Sequence, residues 1–83
     1  MSKSPEATFR LGNISSSVFV QETVANGQQP KRKFRTINVQ RSYRDGDETK
    51  FVSNFTMSDL PAAIRCMELA QAHVESKEAE VAA

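Results

Sequence analysis

The sequence predicts an α+β domain: a curved antiparallel sheet of three to four strands followed by one C-terminal amphipathic helix, in the order β-β-β-β-α. Three observations carry this. Between residues 8 and 57 apolar residues alternate with polar ones, the two-residue period of strands with one face on a core. Glycine-bearing breaks at Gly12-Asn13, Asn26-Gly27 and Asp45-Gly46 divide that stretch into segments. From Leu60 onward the apolar spacing lengthens to that of a helix.

The elements follow in order. Residues 1–7 are polar, contain Pro5 and are expected to form a disordered tail. Residues 8–11 read as a short strand in which Phe9 and Leu11 alternate with Thr8 and Arg10, and Gly12-Asn13 ends it in a bulge or tight bend. Residues 14–24 resume an extended run, with Ile14, Ser16, Val18 and Val20 on one side and Ser15, Ser17, Phe19 and Gln21 on the other. Residues 25–30 form a loop turning at Asn26-Gly27. The longest strand covers 31–43, with Arg35, Ile37, Val39, Arg41 and Tyr43 on one face and Phe34, Thr36, Asn38, Gln40 and Ser42 on the other. Residues 44–48 are a hairpin turn built on Asp45-Gly46, and 49–57 are the last strand.

Ser58 is the expected N-cap of the helix, Asp59 complements its dipole, and Pro61 is tolerated in the first turn, where its missing N–H has no helical partner. At about 100° per residue Leu60, Ala63, Ile64, Met67, Ala70 and Val74 fall in one arc, and Ala62, Cys66, Leu69 and His73 lie beside it. The weakly polar arc is then about 220° wide, whereas one sheet occupies only about 100°. The surplus, with the small Ala62 and Cys66 in it, suits a second helix, that of another subunit across a two-fold axis. The helix is expected to fray near Ser76, so the domain spans 8–76 and residues 77–83 form a disordered tail.

Length points the same way. A chain of 83 residues buries only about 60% of the surface its unfolded form exposes. It needs a staple or a partner. With one cysteine, Cys66, no internal disulfide forms, and with one histidine, His73, a tetrahedral zinc site lacks ligands. A homodimer is the remaining expectation. No stretch resembles a membrane span or a signal core, which places the chain in the cytoplasm.

The residues do not suggest an enzyme or a cofactor protein. Cys66 sits mid-helix on an apolar flank, and His73, seven residues on, lies about 10 Å further along the axis, too far to pair with it. The three glycines are separate turn residues, so no phosphate loop exists. Asp45, Asp47 and Glu48 lack the spacing of a calcium loop, and no metal site is expected.

Charge is informative instead. The net value of +1 hides an asymmetry: residues 1–44 hold eight Lys/Arg against Glu6 and Glu22, and residues 45–83 hold three against eight acids. Residues 31–44 alone carry Lys31, Arg32, Lys33, Arg35, Arg41 and Arg44 with no acid. Cations of this kind also protect exposed sheet edges. Beside them one strand face offers Phe34, Thr36, Asn38 and Gln40, and its neighbour offers Ser17, Phe19 and Gln21. Rings among amides and hydroxyls, rimmed by cations, have the composition of a single-strand platform: bases stack on rings while Lys and Arg track phosphates.

The order of elements adds a resemblance. The opening Phe9-Arg-Leu-Gly12, a basic third strand carrying Ile37, Val39, Arg41 and Tyr43, the hairpin Asp45-Gly46-Asp47-Glu48 and a helix that begins Met57-Ser-Asp-Leu60 together resemble the positive-cofactor-four family of transcriptional coactivators. The likeness covers roughly residues 8–75. It departs at residues 49–54, where the family has a glycine-containing basic run and a nearby tryptophan and this chain has Lys50 alone. The resemblance implies a homodimer whose curved sheets bind single-stranded DNA with little sequence preference; with the apolar arc above, the expectation is a homodimer joined through the C-terminal helix that binds single-stranded DNA or RNA, accessory to transcription, replication or repair. The nucleic-acid-binding residues it implies are Arg10, Lys31, Arg32, Lys33, Arg35, Arg41 and Arg44, with Phe19 or Phe34 stacking. The alternative is a protein-interaction module whose basic strand recognises an acidic partner.

Overall fold

A computed structural model describes residues 4–23, 27 and 32–82. Four antiparallel strands, β1 (Ala7–Leu11), β2 (Ile14–Glu22), β3 (Lys33–Asp45) and β4 (Glu48–Val52), lie side by side in chain order. A 3-10 turn (Met57–Asp59) leads into the single helix α1 (Leu60–Ala82), which packs on one face of the sheet. The α+β architecture expected from the sequence is therefore the observed one.

Both tight hairpins have the same construction. Leu11 faces Ile14 across Gly12-Asn13, and Asp45 faces Glu48 across Gly46-Asp47. Each loop puts a glycine with positive φ first, 61° at Gly12 and 64° at Gly46, and among the described residues no other residue type has positive φ. That is the type II′ pattern, whose twist matches that of the flanking strands. Register then fixes the faces, since side chains alternate along each strand. Phe9, Ser16 and Val39 lie in one row on the helix side, as do Ala7, Val18 and Ile37, and Ile14, Arg41 and Val52.

The helix sits on this side over β2 and β1, reaching β3 less. Ile14, Val18, Ala63, Cys66 and Ala70 are buried, with Phe55, Val39 and Ala62 packed around Ile14, Ala63 and Cys66. The helix thus turns its small residues inward. Leu60, Ile64 and Met67 stay 39%, 54% and 45% exposed. The sheet-facing side is shifted from the expected arc toward its small-residue flank: Ala63 and Ala70 of that arc are buried together with Cys66 from the flank, and Leu60, Ile64 and Met67 of the arc form the surplus. The cause is close approach. Buried Ser16 donates its hydroxyl to the Cys66 carbonyl oxygen at 2.8 Å, and the Cys66 thiol lies 3.7 Å from the Ile14 carbonyl oxygen.

Element limits differ at five places. β3 begins at Lys33 and continues to Asp45, and β4 stops at Val52 because the chain leaves the sheet to tuck Phe55 beneath the start of the helix. The helix entrance is organised by Thr56 rather than Ser58: the Thr56 N–H and hydroxyl donate to Asp59 Oδ2 at 2.9 and 2.8 Å, and the Asp59 N–H donates to the Thr56 carbonyl at 3.0 Å. These bonds from Thr56, and then the Arg41 charge, hold the Asp59 carboxyl below its ordinary range. The helix continues to Ala82, past Ser76, since Lys77 to Ala82 contains only good or moderate helix formers and no stop residue. Near the N-terminus, the Glu6 N–H donates to the Val18 carbonyl at 2.7 Å, so the ordered chain begins before residue 8. The expected tail residues 1–3 and 83, and the loop residues Asn26 and Pro30, lie outside the described residues.

Candidate nucleic-acid interface

Alternation puts a second, helix-free face on the sheet. Its rows are Gln21–Phe34, Phe19–Thr36, Thr8–Ser17–Asn38, Arg10–Ser15–Gln40, Ser42–Phe51 and Arg44–Thr49. None of these side chains is buried. None is a carboxylate. Phe19 and Phe34 are diagonal neighbours on adjacent strands, a separation that aromatic side chains can bridge. Phe34 is 46% exposed. Weak 3.4 Å contacts join Thr8 to Ser17 and Gln21 to Thr36, which leaves most donors and acceptors of the central rows facing solvent.

The expected binding residues divide between the two faces. Arg10, Phe19, Phe34 and Arg44 share the helix-free face. Arg32 and Lys33 are exposed where β3 begins, and Lys31 lies outside the described residues. Arg35 and Arg41 are on the helix side and act as braces. Arg35 grips Glu6 with two bonds, Nε to Oε1 at 2.8 Å and a terminal nitrogen to Oε2 at 3.0 Å, and His73 Nε2 meets the same Glu6 Oε1 at 2.8 Å. One carboxylate thereby joins the N-terminal segment, β3 and the helix. Its bonds to Arg35 and His73 hold its pKa down from 4.5 to about 2. Arg41 donates to the Asn54 carbonyl and side-chain oxygens at 3.0 Å each and lies 3.3 Å from Asp59 Oδ2, fixing the helix entrance. Its guanidinium is 5.9 Å from the Tyr43 ring centre.

Phe51 is a residue of this face that the sequence reading did not single out. The signal was available in the hairpin: a two-residue reversal at Gly46-Asp47 pairs Ser42 with Phe51 and so sets Phe51 on the Phe34 side. Cys66 is buried and His73 is held by Glu6 and by an edge contact with Phe9, so neither is near the helix-free face. Among the described residues no group of His, Cys, Asp and Glu is placed to hold a metal, and no helix is long and apolar enough to cross a membrane.

The helix side keeps a large uncovered apolar area. The helix leaves an open groove against β3 lined by Ile37, Val39, Met67 and Val74, with Gln71, Glu75 and Glu78 also lining it. Ile37, Tyr43, Met57, Leu60, Ile64 and Met67 are all substantially exposed. The radius of gyration is 15.7 Å, against about 12 Å for a compact chain of this length. No protein-family model, curated protein or solved structure matches the chain.

Proposed function

We propose that this chain is a homodimeric single-stranded nucleic-acid-binding protein of the cytoplasm, accessory to transcription, replication or repair, that binds through the helix-free face of its sheet and catalyses no reaction. The observation that carries the proposal is the make-up of that face. Two rings at diagonal positions adjoin rows of hydroxyls and amides, with Arg10 and Arg44 among them and no carboxylate on that face of the strands. Bases stack on rings of any sequence context, each stack contributing about 1–3 kcal/mol, and arginine screens phosphate. The resemblance to the positive-cofactor-four family supports the same reading. The residue set is narrower than that family implies, because Arg35 and Arg41 are engaged in bracing the helix.

The homodimer is supported by the uncovered flank of Leu60, Ile64 and Met67 beside Ile37. A second copy covering it by a two-fold axis would bury both flanks at once. The test is fluorescence anisotropy of a labelled oligothymidylate. Among the described residues Arg10 and Arg44 lie on that face and Arg32 and Lys33 are exposed where β3 begins, and at about −0.7 per phosphate neutralised the slope of log affinity against log salt should lie between about −2 and −3. Absence of binding at micromolar protein in low salt refutes the proposal.

One observation favours an acidic peptide as an alternative partner. β4 pairs only with Arg41–Asp45, so among the described residues the Lys33–Gln40 stretch of β3 has a strand neighbour on one side alone, and a peptide can add there. Phe34→Ala separates the two readings: it weakens oligonucleotide binding at every salt concentration and leaves strand addition largely intact.

A further inference from the structure

We infer that the helix-free face holds a second stacking station at Phe51, so that a single strand lies lengthwise along β3 between two aromatic ends. The inference rests on the nucleic-acid reading above and extends it to the direction, length and limit of the bound strand.

Phe51 is 54% exposed, more than Phe34 at 46%. Register places it opposite Ser42, on the same face as Phe34 but at the other end of β3. Its neighbours on that face are Ser42, Thr49, Gln40 and Arg44, none of them apolar. A ring with no apolar surface to pack on contributes nothing to the core. Phe34 and Ser42 are eight residues apart on one unbroken strand, about 27 Å at about 3.4 Å per residue. The rows between the ends present Thr36, Asn38 and Gln40, with Arg10 across from Gln40 through Ser15. A ligand running this way meets a ring, then hydrogen-bonding groups beside a cation, then a second ring.

The face also has a boundary. Beyond Phe51 the hairpin tip carries Asp45, Asp47 and Glu48 against Arg44 and Lys50, and Lys50 is 3.0 Å from Asp45. This net negative tip repels a phosphate backbone, so the strand ends near Arg44 rather than passing over the turn. Two stations about 27 Å apart are spanned by about eight stacking steps of about 3.4 Å, about nine nucleotides, or fewer when the strand is extended. A trinucleotide, with two steps, reaches only one station.

The probes are fluorescein-labelled dT3 and dT12, titrated with the full chain at fixed low salt. Phe51→Ala should weaken dT12 binding about 5- to 150-fold, the effect of losing one stacked base, and should change dT3 binding less than about twofold. Phe34→Ala should weaken both. Phe51→Trp should restore dT12 affinity, and Phe51→Leu, which keeps apolar bulk without a ring, should not. A Phe51→Ala change of less than about twofold on dT12, with Phe34→Ala still damaging, overturns the second station and leaves the functional proposal standing. Loss of dT12 binding that Phe51→Trp fails to restore also overturns it. If native protein binds neither oligonucleotide, both fall together.

Discussion

Ser16→Val should destabilise this protein, although it replaces a buried polar group with a buried apolar one. Ser16 is fully buried and its hydroxyl donates to the Cys66 carbonyl at 2.8 Å, where α1 meets β2. Removing the hydroxyl alone, in Ser16→Ala, loses one hydrogen bond, about 1 kcal/mol. The Cys66 carbonyl keeps its bond within the helix, so no buried acceptor is orphaned. Valine adds branched bulk into the same contact, and overpacking of this kind costs about 1–3 kcal/mol more. For a domain of this size about 1 kcal/mol corresponds to about 4–8 °C in Tm. Circular dichroism melts at one fixed protein concentration should therefore show a drop of about 4–8 °C for Ser16→Ala and roughly 8–30 °C for Ser16→Val. Ser17→Val, one residue along on the helix-free face, should stay within about 0.5 kcal/mol of native. A Ser16→Val protein that melts at or above the native temperature would refute the close helix–sheet contact, since valine would then simply have added apolar burial.

Acid should loosen the brace at Glu6. Its folded pKa of about 2 lies below the ordinary 4.5, so its contribution is complete above about pH 4.5 and is lost as the pH falls through 2. The Tm difference between native protein and Glu6→Gln should be largest near neutrality and shrink across that window, and a difference that grows on acidification would contradict the assignment. Met67→Glu should give a folded monomer by sedimentation velocity. Each subunit forfeits about 1.5–3 kcal/mol of apolar burial, twice per dimer, which raises Kd more than about a hundredfold; a variant that sediments with native protein as a dimer would place the interface elsewhere. Gly46→Ala should cost about 1–2 kcal/mol, because its φ of 64° disfavours any residue with a Cβ although no atom lies within 4 Å to clash; an unchanged Tm would argue against the II′ geometry.

The strand faces were legible in the sequence because a period of two leaves one register choice once one side is apolar. Ile14, Ser16 and Val18 did fall together, and so did Phe34, Thr36, Asn38 and Gln40. That same alternation had already separated Arg35 and Arg41 from Phe34, yet charge counted along a strand ignores sides, and it grouped all six cations as one cluster. The ion partners were not legible: Glu6 is distant from Arg35 and His73 in the chain and sits in a stretch whose composition suggests disorder. The width of the apolar arc on the helix pointed to a partner. Which flank faced inward was hidden, because it depends on how near the helix comes to the sheet, and that distance is set by Ser16, a residue whose polarity gives no sign of burial.

That the helix-free face is where a single strand binds is tested most directly by titrating isotope-labelled protein with dT12 and following backbone amide and side-chain NMR shifts. The largest changes should fall on Phe19, Phe34, Asn38, Gln40, Arg10 and Phe51, with Cys66, Ala70 and His73 nearly still. Changes centred on Ile37, Met67 and Val74 would place the ligand in the helix-side groove and contradict the assignment.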